Sequence, residues 1–451
     1  MNSRRAWLVL GIGTLAYLIA VTERGTFGVA GVVATERFGV NAAALSTVAV
    51  LQIAVYAVLQ IPVGLLLDRF GSRRVLTVGA GLMALGQIVV AVAPLLVVAG
   101  AGRVILGVGD AFTFLSVIRL LPGWFSTRRL PLLVQWVSAV GALGQIVSAY
   151  PFALVLRLTG WEVAFLSAAA LAVLSLVVVA IAARVGEPLP LTSPIPVGGM
   201  RRILRTSVGR PGTQLGFWSH LLLATPTNAL AILWGYPFLT VALGLPIGTA
   251  AVVMAMLVVA SLVGGPLIGW IVARFPLRRS NVVFGVAVVS YGCLLALLLW
   301  PGHPPIGVVI AAFLGIGIGG PGSMIGLDFA RTFNPTHAGG VASGIVNTGG
   351  FTGAFVGMFL IGLLLDASNP GAPVAVLYSY DAFRIAFVAL IAIGAVAAVL
   401  LLVARRRTRA RMFLEDGILI APFWVAVFRR ARARRRGSGG AGDGGTTPTV
   451  R

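Results

Sequence analysis

GLLLDRFGSRR, residues 64–74, is the most informative segment of this sequence. Its first residue, Gly64, allows two helices to approach each other closely. The carboxylate of Asp68 is suited to accept hydrogen bonds from a helix N-terminus or to pair with an arginine of a neighbouring helix. Gly71 permits a tight turn, and the arginines that follow it suit the lipid headgroup region. The segment therefore predicts a loop between two membrane helices.

A weaker copy of this loop recurs in the second part of the chain. ARFPLRR at residues 273–279 aligns with DRFGSRR at residues 68–74 after a shift of 205 positions. Internal repeats of this kind are typical of carriers built from two related halves. The repeat predicts two six-helix bundles, residues 1–184 and residues 215–404.

The composition places most of the chain in lipid. Its 451 residues are 58% hydrophobic and only 10% charged, with a mean hydropathy of +1.00, whereas soluble proteins carry about 25% charged residues. The apolar stretches are long and unbroken, so helices are expected rather than the alternating segments of a membrane β-barrel. With about 20 residues for each span, twelve transmembrane helices are predicted near residues 7–29, 44–66, 75–93, 95–120, 131–156, 162–184, 215–242, 247–272, 281–300, 304–330, 338–366 and 381–404.

The distribution of arginine predicts the orientation of these spans. All 34 basic residues are arginine, and the formal net charge is +22. With the N-terminus in the cytoplasm, 29 arginines lie in cytoplasmic segments or at span ends, four lie on the outer side, and Arg103 lies within a span. Cytoplasmic loops carry such an excess of positive charge. A multi-pass protein of the cell membrane with both termini cytoplasmic is therefore predicted, and a nucleic-acid partner is disfavoured.

Two polar regions flank the second bundle. Residues 185–214 are rich in proline and arginine and are predicted to be a cytoplasmic linker. Residues 405–451 form an arginine-rich cytoplasmic tail, in which residues 412–428 are expected to lie on the inner leaflet or, alternatively, to form a thirteenth span. Residues 437–451 are predicted to be disordered because they are rich in glycine, threonine and proline.

The loop, its copy, the linker and the span count together resemble the major facilitator superfamily, from Arg5 to about Ala404. This resemblance implies an all-α membrane fold of twelve transmembrane helices in two pseudo-repeated six-helix bundles. It also implies secondary active transport of a small solute by alternating access, with the loop acting as a gating element that favours the outward-facing state. The alternative is a topology anchor without a switching role.

The predicted gating residues lie in the two loops and near the inner end of span 10, and the resemblance implies the gating role of Asp68 and Arg69. The predicted gating residues are Gly64, Asp68, Arg69, Gly71, Arg73, Arg74, Arg274, Arg278, Asp328 and Arg331. Asp328 and Arg331 are expected to pair, because they are three residues apart on a helix. Ala273 stands at the position of Asp68 in the second copy, so the gate is expected to be asymmetric.

Two charged residues, Arg103 and Asp110, lie within the apolar fourth span. An arginine is costly in lipid and is expected to face the bundle interior beside a partner. Asp110 lies seven positions later, on nearly the same helix face but roughly 10 Å along the axis, so a direct pair is not expected. Family members carry an arginine at the position of Arg103, which implies proton coupling or anion binding. Asp110 with Arg103 is the predicted proton-coupling site; the alternative is a structural hydrogen bond from Asp110 to backbone or to Ser116.

Five polar residues in the spans are predicted to contact the substrate: Glu23, Arg24, Gln145, Asn228 and Asn347. The resemblance implies that span 1, with the first two, lines the central cavity, where an arginine often meets anionic substrates. The alternatives are an ion pair at the outer surface for Glu23 and Arg24, and helix packing for the amide residues.

A small organic anion taken up with protons is the first hypothesis for the cargo. Drug antiporters of the superfamily carry a glycine-rich and proline-rich motif in span 5 that residues 144–151 do not match. Nitrate porters carry an arginine in spans 2 and 8, and the corresponding stretches of this sequence contain none. A drug or metabolite efflux antiporter and a non-transporting membrane sensor on a transporter fold are the alternatives.

No cofactor and no enzymatic activity are predicted. Cys293 is the single cysteine, and the three histidines show no metal-ligand spacing. The sequence contains no nucleophile–base arrangement, and a chain without lysine lacks the ATP-binding phosphate loop. The predicted partners are a small-molecule substrate, protons and membrane lipids, and the chain is predicted to be a monomer.

Overall fold

A computed structural model describes residues 4–39, 42–182, 197–368 and 379–417, which are helical almost throughout. The first predicted bundle contains α1 (Arg4–Val29), α2 (Gly31–Phe38), α3 (Ala42–Phe70), α4 (Ser72–Ala91), α5 (Leu96–Trp124), α6 (Leu130–Val147), α7 (Ala153–Thr159) and α8 (Trp161–Ala182). The linker and the second bundle contain α9 (Val197–Gly209), α10 (Pro211–Ala229), α11 (Gly235–Pro237), α12 (Ile247–Arg274), α13 (Arg279–Leu299), α14 (Ile306–Gly317), α15 (Gly319–Ser323), α16 (Ile325–Phe333), α17 (Gly339–Ser368) and α18 (Tyr380–Asp416).

A helix or a run of helices lies at each of the twelve predicted spans. Among the described residues, ten of these are long and apolar enough to cross a membrane, and α3 and the run that begins with α10 fall outside those ten. The predicted all-α membrane fold is therefore confirmed, and the helices are consistent with twelve spans. The chain forms two compact units, Met1–Arg405 and Arg406–Arg451.

Spans 5 and 7 contain π-helical turns. Ser148–Phe152 joins α6 to α7 and contains Pro151, and Leu230–Trp234 and Phe238–Ala242 flank α11. Proline cannot donate the backbone hydrogen bond of a regular helix and its ring crowds the preceding turn, so the turn in span 5 widens at that point.

Close helix packing within the first bundle depends on glycine. A Cβ atom at Gly86 on α4 would lie 2.6 Å from the carbonyl oxygen of Gly102 on α5. A Cβ atom at Gly109 on α5 would lie 2.5 Å from the carbonyl oxygen of Gly79 on α4. Helices in lipid associate through such van der Waals contacts between small residues, and these contacts fix α5, which carries Arg103 and Asp110.

The two predicted bundles meet at one end of the helices. On α3 and α17, a Cβ atom at Gly64 or at Gly340 would lie 2.5 Å from the carbonyl oxygen of the other residue. On α6 and α12, a Cβ atom at Gly269 would lie 2.9 Å from the Cα atom of Leu132. These positions fall near the C-terminal ends of α3 and α12 and the N-terminal ends of α17 and α6. Both contacts therefore lie at the end of the bundles that carries the loop of residues 64–74.

The linker and the tail are described in part. Helix α9 lies within the predicted linker, of which residues 183–196 fall outside the described residues. Helix α18 continues the twelfth span to Asp416, so the predicted interfacial segment 412–428 begins as a continuous helix. The remainder of that segment and the predicted disordered stretch 437–451 lie outside the described residues.

Candidate functional site

An ion pair between α1 and α5 is the central feature of the first bundle. Arg24 Nε lies 2.8 Å from Asp110 Oδ2, and Arg24 Nη2 lies 2.8 Å from Asp110 Oδ1. Such bidentate charge-assisted hydrogen bonds are among the strongest in proteins. The Asp110 side chain is fully buried, whereas 28% of the Arg24 side chain is exposed. Arg24 is therefore the more exposed member of the pair.

Arg103 binds the backbone that carries Arg24. Its Nη1 donates to the carbonyl oxygen of Glu23 at 3.1 Å and to Thr26 Oγ1 at 3.3 Å, and its Nη2 donates to the carbonyl oxygen of Arg24 at 2.8 Å. Nη2 also donates to Gln52 Oε1 on α3. The terminal nitrogens of Arg103 are thus occupied by α1 and α3, and its guanidinium orients Arg24 instead of facing open space.

Replacing Arg103 by lysine is expected to destabilise the protein. A lysine ammonium has three N–H groups on one nitrogen and cannot serve the four acceptors of Arg103, so at least one buried acceptor loses a charged donor. We expect the free energy of unfolding, measured by titration with a denaturing detergent, to fall by about 3 kcal/mol. Arg157→Lys, at an exposed position on α7, is the control. Equal stability of the two variants would contradict this role of Arg103.

Glu23 is a second acid at this site. Its side chain is fully buried, and neither carboxyl oxygen has a hydrogen-bond partner among the described residues. Its charged neighbours are Arg103 and Asp110. Glu23 is therefore a buried carboxyl group without a hydrogen-bond donor among the described residues, next to the Arg24–Asp110 pair. The alternative of a surface ion pair between Glu23 and Arg24 is not what the structure has, because Glu23 is buried and Arg24 pairs with Asp110.

Asp68 joins α3 to the start of α17. Its Oδ1 accepts from Gly340 N at 2.8 Å and its Oδ2 accepts from Val341 N at 2.9 Å. Arg119 Nη2 lies 3.1 Å from Asp68 Oδ1 and donates to the carbonyl oxygen of Thr336 at 2.7 Å. A carboxylate placed on the first free N–H groups of a helix is favoured by the helix dipole. Both residue types expected as partners of Asp68, a helix N-terminus and an arginine, are present.

The other residues of the first loop lie around Asp68. Gly71 ends α3 with φ +79°, which allows the chain to turn directly into α4. The Arg69 guanidinium packs on the ring of Phe70, 5.0 Å from its centroid. Arg73 is half-buried and Arg74 is exposed at the start of α4.

The second copy of the loop is held by an arginine that was not among the predicted gating residues. Arg279 Nη1 donates to the carbonyl oxygen of Asp328 at 3.2 Å and to Thr332 Oγ1 at 2.9 Å. Asp328 and Arg331 form the expected ion pair. Arg274 is exposed and Arg278 is half-buried. These contacts of the second loop lie within the second bundle, whereas Asp68 of the first loop contacts α17 of the other bundle.

Among the described residues, the predicted substrate-contacting amides form no hydrogen bond to the Arg24–Asp110 pair. Asn347 Nδ2 donates to Gln60 Oε1 at 2.6 Å, across the two bundles. Gln145 is exposed, and Asn228 is half-buried. Among the described residues, neither the Gln145 nor the Asn228 side chain forms a hydrogen bond to the ion pair. The structure thus brings together Glu23, Arg24, Arg103 and Asp110.

Several residues of the site were not predicted from the sequence. They are Gln52, Tyr56, Gln60, Arg119 and Arg279. Signals for some of them exist, because amide side chains within an apolar span need partners and because the shift of 205 residues maps Arg74 onto Arg279.

The sequence of the chain is similar to those of known membrane transporters. The sequence profile described as Major Facilitator Superfamily matches residues 13–358 and residues 216–435. A protein of Cupriavidus necator named as a probable sulfoacetate transporter is 24% identical over 159 residues, which are 35% of this chain and 37% of that protein. Probable anion transporter 5 of Arabidopsis thaliana is 25% identical over 400 residues, which are 82% of this chain and 90% of that protein.

Two solved structures share the fold. A bacterial homologue of the iron transporter ferroportin, in an outward-facing state, superposes with a TM-score of 0.70 at 14% identity and covers 88% of this chain and 99% of its own. The proton:xylose symporter, bound to a bromodeoxyglucose, superposes with a TM-score of 0.65 at 16% identity and covers 89% of this chain and 96% of its own. At these identities the likeness concerns the fold alone.

Proposed function

This chain belongs to the Major Facilitator Superfamily, and from this premise we propose that it transports a small organic anion together with protons by alternating access. Transport by a multi-pass membrane protein follows from the family; the anion and the proton coupling are the proposal. The observation that carries it is the Arg24–Asp110 pair, a buried carboxylate bound to a partly exposed guanidinium. The names of the two relatives, which refer to anions, support the same substrate class.

The pair offers a simple mechanism for coupling. An anion that binds Arg24 competes with the Asp110 carboxylate for the same guanidinium. Once Asp110 loses its cation, a buried charged carboxylate becomes unfavourable, so the carboxyl group takes up a proton. Anion and proton are then bound together, and both leave when Asp110 pairs again with Arg24. Arg103 holds the backbone in place, and Glu23 provides a second buried carboxyl group for protons.

The loop contacts supply the gate in this proposal. With both termini in the cytoplasm, as the arginine count predicts, Asp68 and Gly64 close the cytoplasmic side by binding α17. Asp68, Arg69, Arg73 and Arg74 act in the first loop, and Arg274, Arg278, Asp328 and Arg331 act in the second. The chain functions as a monomer in the cell membrane, and the anion is carried without chemical conversion.

Asp110→Asn in proteoliposomes tests the coupling. We expect uptake of sulfoacetate driven by an inward proton gradient to fall about tenfold or more, because the amide cannot exchange a proton. Exchange of labelled for unlabelled sulfoacetate without a gradient is expected to continue, because the anion still binds Arg24. Glu23→Gln measured in parallel shows whether the second acid is also required.

Asp381→Asn is the matched control. The Asp381 side chain is 84% exposed and forms an ion pair with Arg384 on α18. Proton-driven uptake that is unchanged in Asp110→Asn would rule out coupling at this residue. Uptake that requires an outward proton gradient would favour the efflux antiporter, and binding without any flux would favour the sensor.

A further inference from the structure

Contacts between α3 and α17 follow one another at intervals of one helical turn. Residues four apart lie on one face of a helix, and on α3 these are Tyr56, Gln60, Gly64 and Asp68. From the interior towards the loop, they contact Phe351, Asn347, Gly340 and the Gly340–Val341 N–H groups. We call this row of contacts the α3–α17 ladder. It consists of an aromatic pair, an amide pair, a glycine contact and a helix cap.

Tyr56 joins the ladder to the ion pair. The Arg24 Cζ atom lies 4.9 Å from the Tyr56 ring centroid, within the range of a cation–π contact. The same ring lies 4.8 Å from the Phe351 ring, between centroids, at an interplanar angle of 59°. Tyr56 is only 4% exposed. One buried ring thus contacts the proposed anion-binding arginine in the first bundle and an aromatic side chain in the second.

We propose that Tyr56 is the positioning residue that links Arg24 to closure of the α3–α17 ladder. An anion that draws Arg24 away from Asp110 also shifts the guanidinium over the Tyr56 ring. The ring is packed on Phe351, so the shift changes the innermost contact of the ladder. The inference rests on the proposed anion site at Arg24 and adds the residue by which occupancy of that site reaches the second bundle.

Tyr17 provides a matched control. It also lies beside Arg24, and its ring centroid lies 4.8 Å from that of Phe114. Both Tyr17 and Phe114 belong to the first bundle, whereas Tyr56 contacts the second. Loss of either tyrosine removes an aromatic ring near Arg24. Among the ring contacts of the described residues, the Tyr56 pair joins the two bundles and the Tyr17 pair does not.

The test uses the full chain with Cys293→Ser, which removes the single cysteine, and with Ser343→Cys as reporter. Ser343 is 7% exposed and precedes Gly344, which packs on the backbone of Gln60. Its labelling by a maleimide therefore reports opening of the ladder. We expect Tyr56→Leu to raise the labelling rate about fivefold to tenfold, the size of a lost aromatic pair. Tyr17→Leu is expected to leave the rate unchanged. Tyr56→Phe keeps the ring but loses the hydroxyl beside Asn347, and it is expected to raise the rate less than Tyr56→Leu does. Equal increases in Tyr17→Leu and Tyr56→Leu would overturn the proposal.

A double-mutant cycle tests the link itself. With Tyr56 present, the effects of Arg24→Gln and Phe351→Leu on labelling are expected to depart from independence by about threefold. With Tyr56→Leu they are expected to multiply independently, and independence in both backgrounds would overturn the proposal. These measurements need no substrate. If the cycle shows coupling while sulfoacetate does not change the labelling, the link through Tyr56 stands and sulfoacetate is not the anion.

Discussion

Gly64→Ala is expected to separate α3 from α17 and to reduce transport about tenfold or more. The added Cβ atom would lie 2.5 Å from Gly340 O, 2.8 Å from Gly340 C and 2.9 Å from Val341 Cα. These are all backbone atoms, so no side chain can rotate to make room. Overpacking of this kind costs about 1–3 kcal/mol, and here the cost falls only on the state in which the bundles touch. Separation also draws Asp68 away from the N–H groups of Gly340 and Val341.

Two further glycines make this prediction specific. Gly344→Ala places a Cβ atom against the backbone of Gln60 and is expected to have the same effect. Gly285→Ala, on α13, meets no atom within 4 Å, so it is expected to leave transport unchanged and to stabilise its helix slightly. Transport in proteoliposomes and maleimide labelling of Ser343→Cys are the two measurements. Full activity of Gly64→Ala would show that the closed contact is not part of the transport cycle.

Much of the fold follows from sequence because composition and local spacing determine it. A helix in lipid requires a long apolar stretch and satisfies its own backbone, so the spans are visible without knowledge of their neighbours. The loop at residues 64–74 is likewise local, and the helix N-terminus and the arginine expected as partners of Asp68 are both found. The seven-residue spacing of Arg103 and Asp110 also predicts correctly that they share a helix face, since both contact α1.

The partners within the site are less predictable, because helix neighbours are a property of packing. Arg24 and Asp110 are separated by 86 positions, and periodicity within either span does not indicate which face of another helix it meets. The pairing of Gln60 with Asn347, 287 positions apart, depends on contact between bundles. Ser116, the alternative partner considered for Asp110, donates instead to the carbonyl oxygen of Phe112 within its own helix. This bond satisfies a hydroxyl locally.

The Arg24–Asp110 pair is expected to show a large and unequal response to substitution. Removing one partner of a buried ion pair costs about 3–5 kcal/mol, because the remaining charge has no counterion. Arg24→Gln leaves the fully buried Asp110 without its cation, whereas Asp110→Asn leaves Arg24, which is 28% exposed. We therefore expect the free energy of unfolding to fall more in Arg24→Gln than in Asp110→Asn. Anion uptake should be lost in Arg24→Gln and also in the double variant that combines Arg24→Gln with Asp110→Asn.

Stability and uptake separate in that double variant. Arg24→Gln with Asp110→Asn replaces two charges by two amides that are able to hydrogen-bond, so it is expected to recover most of the stability lost in Arg24→Gln. The exposed Arg384–Asp381 pair, changed in the same way, is expected to show a coupling energy near zero. A double variant that is stable but does not take up sulfoacetate would assign Arg24 to the anion. Recovery of uptake together with stability would show that the pair supports the fold alone, because the anion would then bind without a cation at position 24.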